Sequence, residues 1–296
     1  MRGAMVGDVI GSPYEAMPAP PIDFPNFQKR SSFTDDTVMT AAVAEAFLLG
    51  IDVGTSLRAW GKRHPDAGYG GTFEGWLEGK VKDRYGSLGN GGPMRVSSAG
   101  WLAGSVGEAL VLADIACLPT HFHPEAVASS RAVAEAIFRG RCGEPRSILR
   151  ESCGKHLGEP IPSLDELREN PPRTVKALPT TLAALACVAE TTDVESAVRT
   201  AVSLGGDADT TAAIAGSIAE AWTPVPDELW TETAKRLPDD VLAVIVAFDA
   251  AMTSGKKQVI DPESGLPVRL AFHHRFPRII RRFLVRVRTG KESAIP

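Results

Sequence analysis

Apolar residues recur at three- and four-residue intervals along most of this chain, and alanine supplies many of them. That spacing puts one apolar stripe on a 3.6-residue helix. It predicts helices over roughly 38–49, 99–112, 124–139, 180–190, 194–203, 211–222 and 239–253. The alternation that marks a half-buried strand is scarce, and its best instance, 283–287, has arginines in and around it. Alanine-lined faces let helices pack closely. The expected fold is therefore all-α, a compact orthogonal helical bundle.

Glycine and proline set loops at 68–71, 86–93 and 160–172, the last a surface excursion between helices. No shift in composition separates domains before about residue 254. The expectation is one domain over 1–253, with 254–296 a basic C-terminal extension packed on it. In that extension Arg269, Arg275, Arg278, Arg281, Arg282, Arg286, Arg288 and Lys291 follow one another with no acidic residue between them. Such a run is ordinarily a solvated surface and more rarely a contact for phosphate.

Composition narrows the function classes. A chain with 44% hydrophobic and 23% charged residues is not disordered. A net charge of −4 gives no general attraction to nucleic acid or acidic membranes, so direct nucleic-acid binding stays open only through the basic segment. The longest apolar run, 241–248, suits a buried helix and is too short to span a bilayer. The glycine-broken start, with Asp8 inside it, is not a signal peptide. Cys117, Cys142, Cys153 and Cys187 lack metal or redox spacing and read as reduced thiols, so the expected location is cytoplasmic.

Two acidic clusters carry the chemistry: Phe33-Thr34-Asp35-Asp36-Thr37 and Gly205-Gly206-Asp207-Ala208-Asp209-Thr210. Either alone reads most simply as helix capping. Their doubling, each with a threonine hydroxyl and the second behind two glycines, favours an all-oxygen site for Mg²⁺ or Mn²⁺ over zinc. An EF-hand loop from Asp207 would need Gly and Glu where Ala212 and Ile218 stand. Two further stretches are notable. Gly7-Asp8 to Gly11 and Glu15 has the shape of helix, turn and carboxylate, and Ser87 to Arg95 is a glycine-rich loop before a helix, a setting that suits a diphosphate.

Together with Gly68-Tyr69-Gly70-Gly71 and Thr120-His121, these motifs match those of the ADP-ribosylglycohydrolase family in its order, from Met1 to about Trp222. The resemblance implies an all-α domain with a binuclear Mg²⁺ or Mn²⁺ centre. Its ligands would be Thr34, Asp35, Asp36, Asp207, Asp209 and Thr210, with Asp209 as the bridge. Glu15 and Asp36 would be the catalytic carboxylates. Ser87, Gly89, Asn90, Gly91, Gly92 and Met94 would hold the diphosphate and distal ribose, His121 would pack on the adenosine side, and Tyr69, Gly70 and Gly71 would line the cleft. Leu88 stands where relatives often carry an aromatic residue, and Pro93 where they carry a small one.

The implied activity is metal-dependent hydrolysis of the glycosidic bond between ADP-ribose and an acceptor on protein, nucleic acid or a small molecule. Two alternatives stand beside it: a catalytically silent ADP-ribose-binding or structural member, and a phosphohydrolase using the same two metals. The acceptor would meet the rim of the cleft, where loops such as 65–73 and 160–172 lie.

Overall fold

A computed structural model describes residues 1–253, which form fourteen α-helices. They are α1 (Arg2–Gly11), α2 (Asp35–Leu49), α3 (Val53–Arg63), α4 (Gly71–Leu77), α5 (Ser97–Leu102), α6 (Val106–Cys117), α7 (Pro124–Arg141), α8 (Ile148–Glu151), α9 (Leu164–Glu169), α10 (Ala177–Ala189), α11 (Val194–Ser203), α12 (Ala208–Ala219), α13 (Asp227–Ala234) and α14 (Asp239–Thr253). Among the described residues there is no strand, only one isolated antiparallel bridge between Gly89 and Lys176. The expected basic extension and the weak strand at 283–287 lie outside the described residues.

Every residue of α12 is buried. It runs through the centre and packs on α1, α10 and α11. The α1–α12 contact is backbone on backbone. Gly3, Gly7 and Gly11 recur every four residues along one face of α1. A Cβ on Gly7 would lie 2.1 Å from the Ala212 carbonyl oxygen, one on Gly3 2.2 Å from that of Gly216, and one on Gly11 2.5 Å from the Asp209 Cα. No side chain fits between these helices, so glycine fixes their separation and, with it, how far Asp8 and Glu15 stand from Asp209.

Several helix limits differ from the sequence reading for local reasons. The helix expected over 99–112 is two, broken at Ala103-Gly104-Ser105, where the Ser105 hydroxyl accepts the Glu108 N–H at 3.1 Å and starts α6 anew. The excursion at 160–172 contains α9, fixed by a capping box between Ser163 and Glu166. Helix α3, broken up in sequence by Gly54 and Gly61, was not anticipated. Helices α2 and α12 begin three residues earlier than expected, which moves Asp35, Asp36 and Asp209 from the preceding loops into the first helical turns.

Candidate active site

The N-terminal ends of α2 and α12 meet at the end of α1, and the two acidic clusters meet with them. Capping explains little of what these aspartates do. The cap of α2 is Thr34, whose hydroxyl accepts the Asp36 N–H at 3.3 Å, and Asp207 makes no side-chain cap at α12. The carboxylates instead face one another. One oxygen each from Asp8, Asp36 and Asp209 lies within 4.8 Å of the others, and the same holds for Glu15, Asp207 and Asp209. Asp209 belongs to both sets.

A hydrogen-bond lattice holds these groups in place. Asp8, fully buried, accepts from the Thr34 N–H (2.9 Å), the Thr34 hydroxyl (2.8 Å) and the Thr37 N–H (3.1 Å). The Thr210 hydroxyl donates to Asp36 Oδ2 at 2.9 Å, and the Asn90 amide donates to Asp207 Oδ2 at 2.6 Å. Asp36 Oδ1 is buried with no hydrogen-bond partner.

The electrostatics are those of crowded, desolvated carboxylates. Burial raises Asp8 to about 6, its hydrogen bonds from Thr34 and Thr37 offsetting only part of that effect. Burial first, and then neighbouring aspartates, push Asp35, Asp36 and Asp209 well above the usual carboxylate range. Glu15, exposed at the mouth, is raised by partial desolvation and by Asp207. Among the described residues no ion pair reaches these aspartates, although Arg95 and Lys176 line the same cavity. An all-oxygen set with an orphaned buried oxygen and no ion pair to a described lysine or arginine fits hard divalent cations, so these residues can hold metal ions.

The carboxylates form one end of a cavity of about 500 Å³, within the range of small-molecule sites. Of the residues expected to bind substrate, Gly70, Gly71, Ser87, Gly89, Asn90, Gly91, Met94 and His121 line it, with Glu15, Asp35, Asp36, Asp207, Asp209 and Thr210. Two do not. Tyr69 is buried against Phe73, with ring centroids 5.2 Å apart. Gly92 faces α6 and α7, where a Cβ would lie 2.9 Å from the Cys117 sulfur and 3.1 Å from the Ser130 hydroxyl. Thr34 lies outside the cavity wall too, its hydroxyl tied to Asp8. The glycine-rich loop also offers fewer free amides than its composition promises. The Gly89 N–H is held by the Ser87 hydroxyl at 3.1 Å and that of Asn90 by the Val175 carbonyl at 2.9 Å.

Sequence reasoning missed several residues. Asp8 was noted as part of a motif but not as a carboxylate of the centre. Its signal was an aspartate inside an otherwise apolar and small-residue helical stretch, which burial makes costly unless partners are waiting. Tyr85, Val175 and Lys176 also line the cavity, and Tyr85 adds an aromatic ring to the wall that Leu88 shares.

His121 is oriented from behind. The buried Arg95 guanidinium donates to the Ala116 and Cys117 carbonyls and, at 2.7 Å, to the Thr120 hydroxyl, which in turn lies 2.7 Å from His121 Nδ1. Arginine can only donate, so the Thr120 oxygen accepts from it and has its own proton to give to Nδ1. With that proton given to Nδ1, the His121 proton would sit on Nε2, the edge facing Gly89 and Gly91. Burial and the Arg95 charge hold its pKa well below the usual histidine value, which keeps the ring neutral.

An all-helical fold with carboxylates gathered at the N-terminal ends of two helices, beside a glycine-lined cavity, defines a class of hydrolase centre built for cations and a polar ligand. The ADP-ribosylglycohydrolase family model matches residues 1–255, and the chain belongs to that family. The mouse and human proteins named ADP-ribosylhydrolase ARH3 are each 25% identical to it over 82% of this chain, covering 88% and 90% of their own lengths. A solved structure described as an ADP-ribosylglycohydrolase-related protein complex superposes with a TM-score of 0.65 at 25% identity, covering 84% of this chain and 95% of that one. Family membership supports hydrolysis of the ADP-ribosylglycohydrolase kind, on ADP-ribosylated substrates. No helix among the described residues is long and apolar enough to cross a membrane.

Proposed function

We propose that this protein hydrolyses the glycosidic bond between ADP-ribose and an acceptor, and that it needs two divalent cations, Mg²⁺ or Mn²⁺, to do so. The observation that carries this reading is the meeting of two carboxylate sets at Asp209, on the wall of a cavity of ligand size. Asp35, Asp36, Asp207 and Asp209 would hold the cations with the Thr34 and Thr210 hydroxyls, Asp209 serving both. Asp8, already bonded to Thr34 and Thr37, positions this set. When bound, the cations supply positive charge that fixes the adjacent ribose hydroxyls and makes water easier to deprotonate.

The chain's own groups do the rest. Asp36 Oδ1, without a partner, and Glu15, at the mouth, orient the attacking water and take its proton as the bond to the anomeric carbon breaks through an oxocarbenium-like state. The raised pKa of Glu15 lets it hold that proton and return it to the departing acceptor atom. His121 Nε2–H, Ser87 and the 89–91 loop bind the diphosphate and distal ribose, and Tyr85 offers its ring to the adenine.

Release of ADP-ribose from modified substrates tests this reading. Chelation by EDTA, Asp36→Asn and Asp209→Asn should each lower kcat by at least about a hundredfold, the scale of losing a positioned charged group. Tight ADP-ribose binding with no hydrolysis of any substrate would instead establish a silent, binding member of the family.

A further inference from the structure

A second cavity, of about 590 Å³, opens on the other side of Glu15. It shares Glu15, Val175 and Asp207 with the cleft already described. Its walls are residues 16–19 and 173–175, and its floor is Leu204, Gly205 and Gly206. Both walls rest on the two glycines. Gly205 and Gly206 have φ of +74° and +73°; a Cβ on Gly205 would lie 3.0 Å from that of Ala19, and one on Gly206 2.7 Å from the Pro172 carbonyl oxygen. The Ala16 N–H donates to the Gly206 carbonyl at 3.1 Å. The turn that delivers Asp207 to α12 therefore also brings both walls of this cavity up to the carboxylates.

The lining has a definite character. Met17 and Val175 are large apolar side chains left 46% and 64% exposed, and Pro18, Ala19 and Leu204 continue the apolar surface. Arg173 is exposed and makes no ion pair or side-chain hydrogen bond among the described residues. No aromatic side chain is present.

We propose that this cavity receives the acceptor side of the substrate, and that the acceptor is a protein segment with an acidic residue next to the modified side chain. The inference rests on the glycohydrolase reading above. A bond cleaved beside Glu15 and Asp207 has ADP-ribose on the cleft side, and these two residues also line this second cavity. Met17, Pro18 and Ala19 suit the apolar parts of a peptide, and the free guanidinium of Arg173 suits a carboxylate beside it. A nucleic-acid strand brings a phosphate at every nucleotide and bases that seek stacking platforms. One cation and no aromatic ring serve such a strand poorly.

The test uses matched peptides carrying one ADP-ribose on serine or on arginine, flanked by glutamate or by lysine, with kcat/KM measured for the full-length protein and for Arg173→Glu. An ADP-ribose ester with its small acyl group on the anomeric oxygen, too small to occupy the second cavity, reports on cleavage at the anomeric carbon alone. An ADP-ribosylated single-stranded oligonucleotide is the competing macromolecule. The wild type should favour the glutamate peptides by about fivefold, the scale of a partly exposed ion pair, and Arg173→Glu should reverse the order. Equal rates on both peptides, unchanged in Arg173→Glu while the acyl ester is cleaved, would overturn the assignment. So would a preference for the oligonucleotide. Failure to cleave even the acyl ester would bring down the glycohydrolase reading and this one with it.

Discussion

Thr120 has one hydroxyl proton, and its destination decides what His121 presents to the cleft. Arg95 occupies one lone pair of Thr120 at 2.7 Å; with the Thr120 proton given to Nδ1, the imidazole offers Nε2–H as a donor. Thr120→Val removes that proton while keeping the shape. The expected result is a rise in KM for ADP-ribosylated substrates of about tenfold, the worth of one well-placed hydrogen bond, with Thr120→Ser restoring most of it. Nitrogen-15 chemical shifts of the His121 ring should report the Nε2–H form in the wild type. An Nδ1–H ring, or a serine variant as impaired as the valine one, would show that the relay is not what orients the histidine. None of this was readable from Thr120-His121 as a pair. The donor behind it, Arg95, is 25 residues away from Thr120 in sequence.

At the scale of elements, the site depends on two helices in backbone contact. Gly7→Ala would drive a Cβ to within 2.1 Å of the Ala212 carbonyl, and only separation of α1 from α12 relieves that clash. Overpacking of this kind costs about 1–3 kcal/mol, so the melting temperature should fall by roughly 3–10 °C. Cation and ADP-ribose binding should weaken along with it, since Asp8 and Glu15 move relative to Asp209. Gly107→Ala, in α6 with only the Ser105 hydroxyl 3.8 Å away, is the control and should be neutral or stabilising by differential scanning calorimetry. This contrast also marks what was legible in the sequence. Helical periodicity and the paired Asp-Thr clusters were visible because each is a local pattern, repeated. The glycine stripe of α1 was seen only as Gly7 and Gly11, because a close approach has no signature without its partner helix. Asp8 escaped for the same reason, its ligand-like setting being built by Thr34 and Thr37. The break at 103–105 was hidden because apolar residues on both sides keep the helical spacing.

For the whole molecule, the crowded carboxylates couple stability to pH and to cations. A carboxyl with a higher pKa folded than unfolded favours the folded state while protonated. Its contribution is complete below the unfolded value near 4 and is lost as pH rises through the folded value, about 6 for Asp8 and well above the usual range for Asp35, Asp36 and Asp209. The chelated protein therefore carries a growing electrostatic burden as pH rises from 5 to 7. Other groups act in the opposite sense over neighbouring ranges. Asp240, held down despite burial by its hydrogen bonds and charge pairing with His64 and Arg63, loses stability only toward acid, as does the buried neutral His121. A difference measurement removes these, because they titrate alike with and without cation. The expectation is a melting-temperature gain on adding Mg²⁺ to EDTA-treated protein that is small at pH 5, where protons compete for the same oxygens, and larger at pH 7. Asp36→Asn should flatten that dependence by taking one carboxylate out of the competition. A gain that stays constant from pH 5 to 7 would mean that the cation binds somewhere other than these aspartates, and the assignment of Asp209 as their shared member would fall with it.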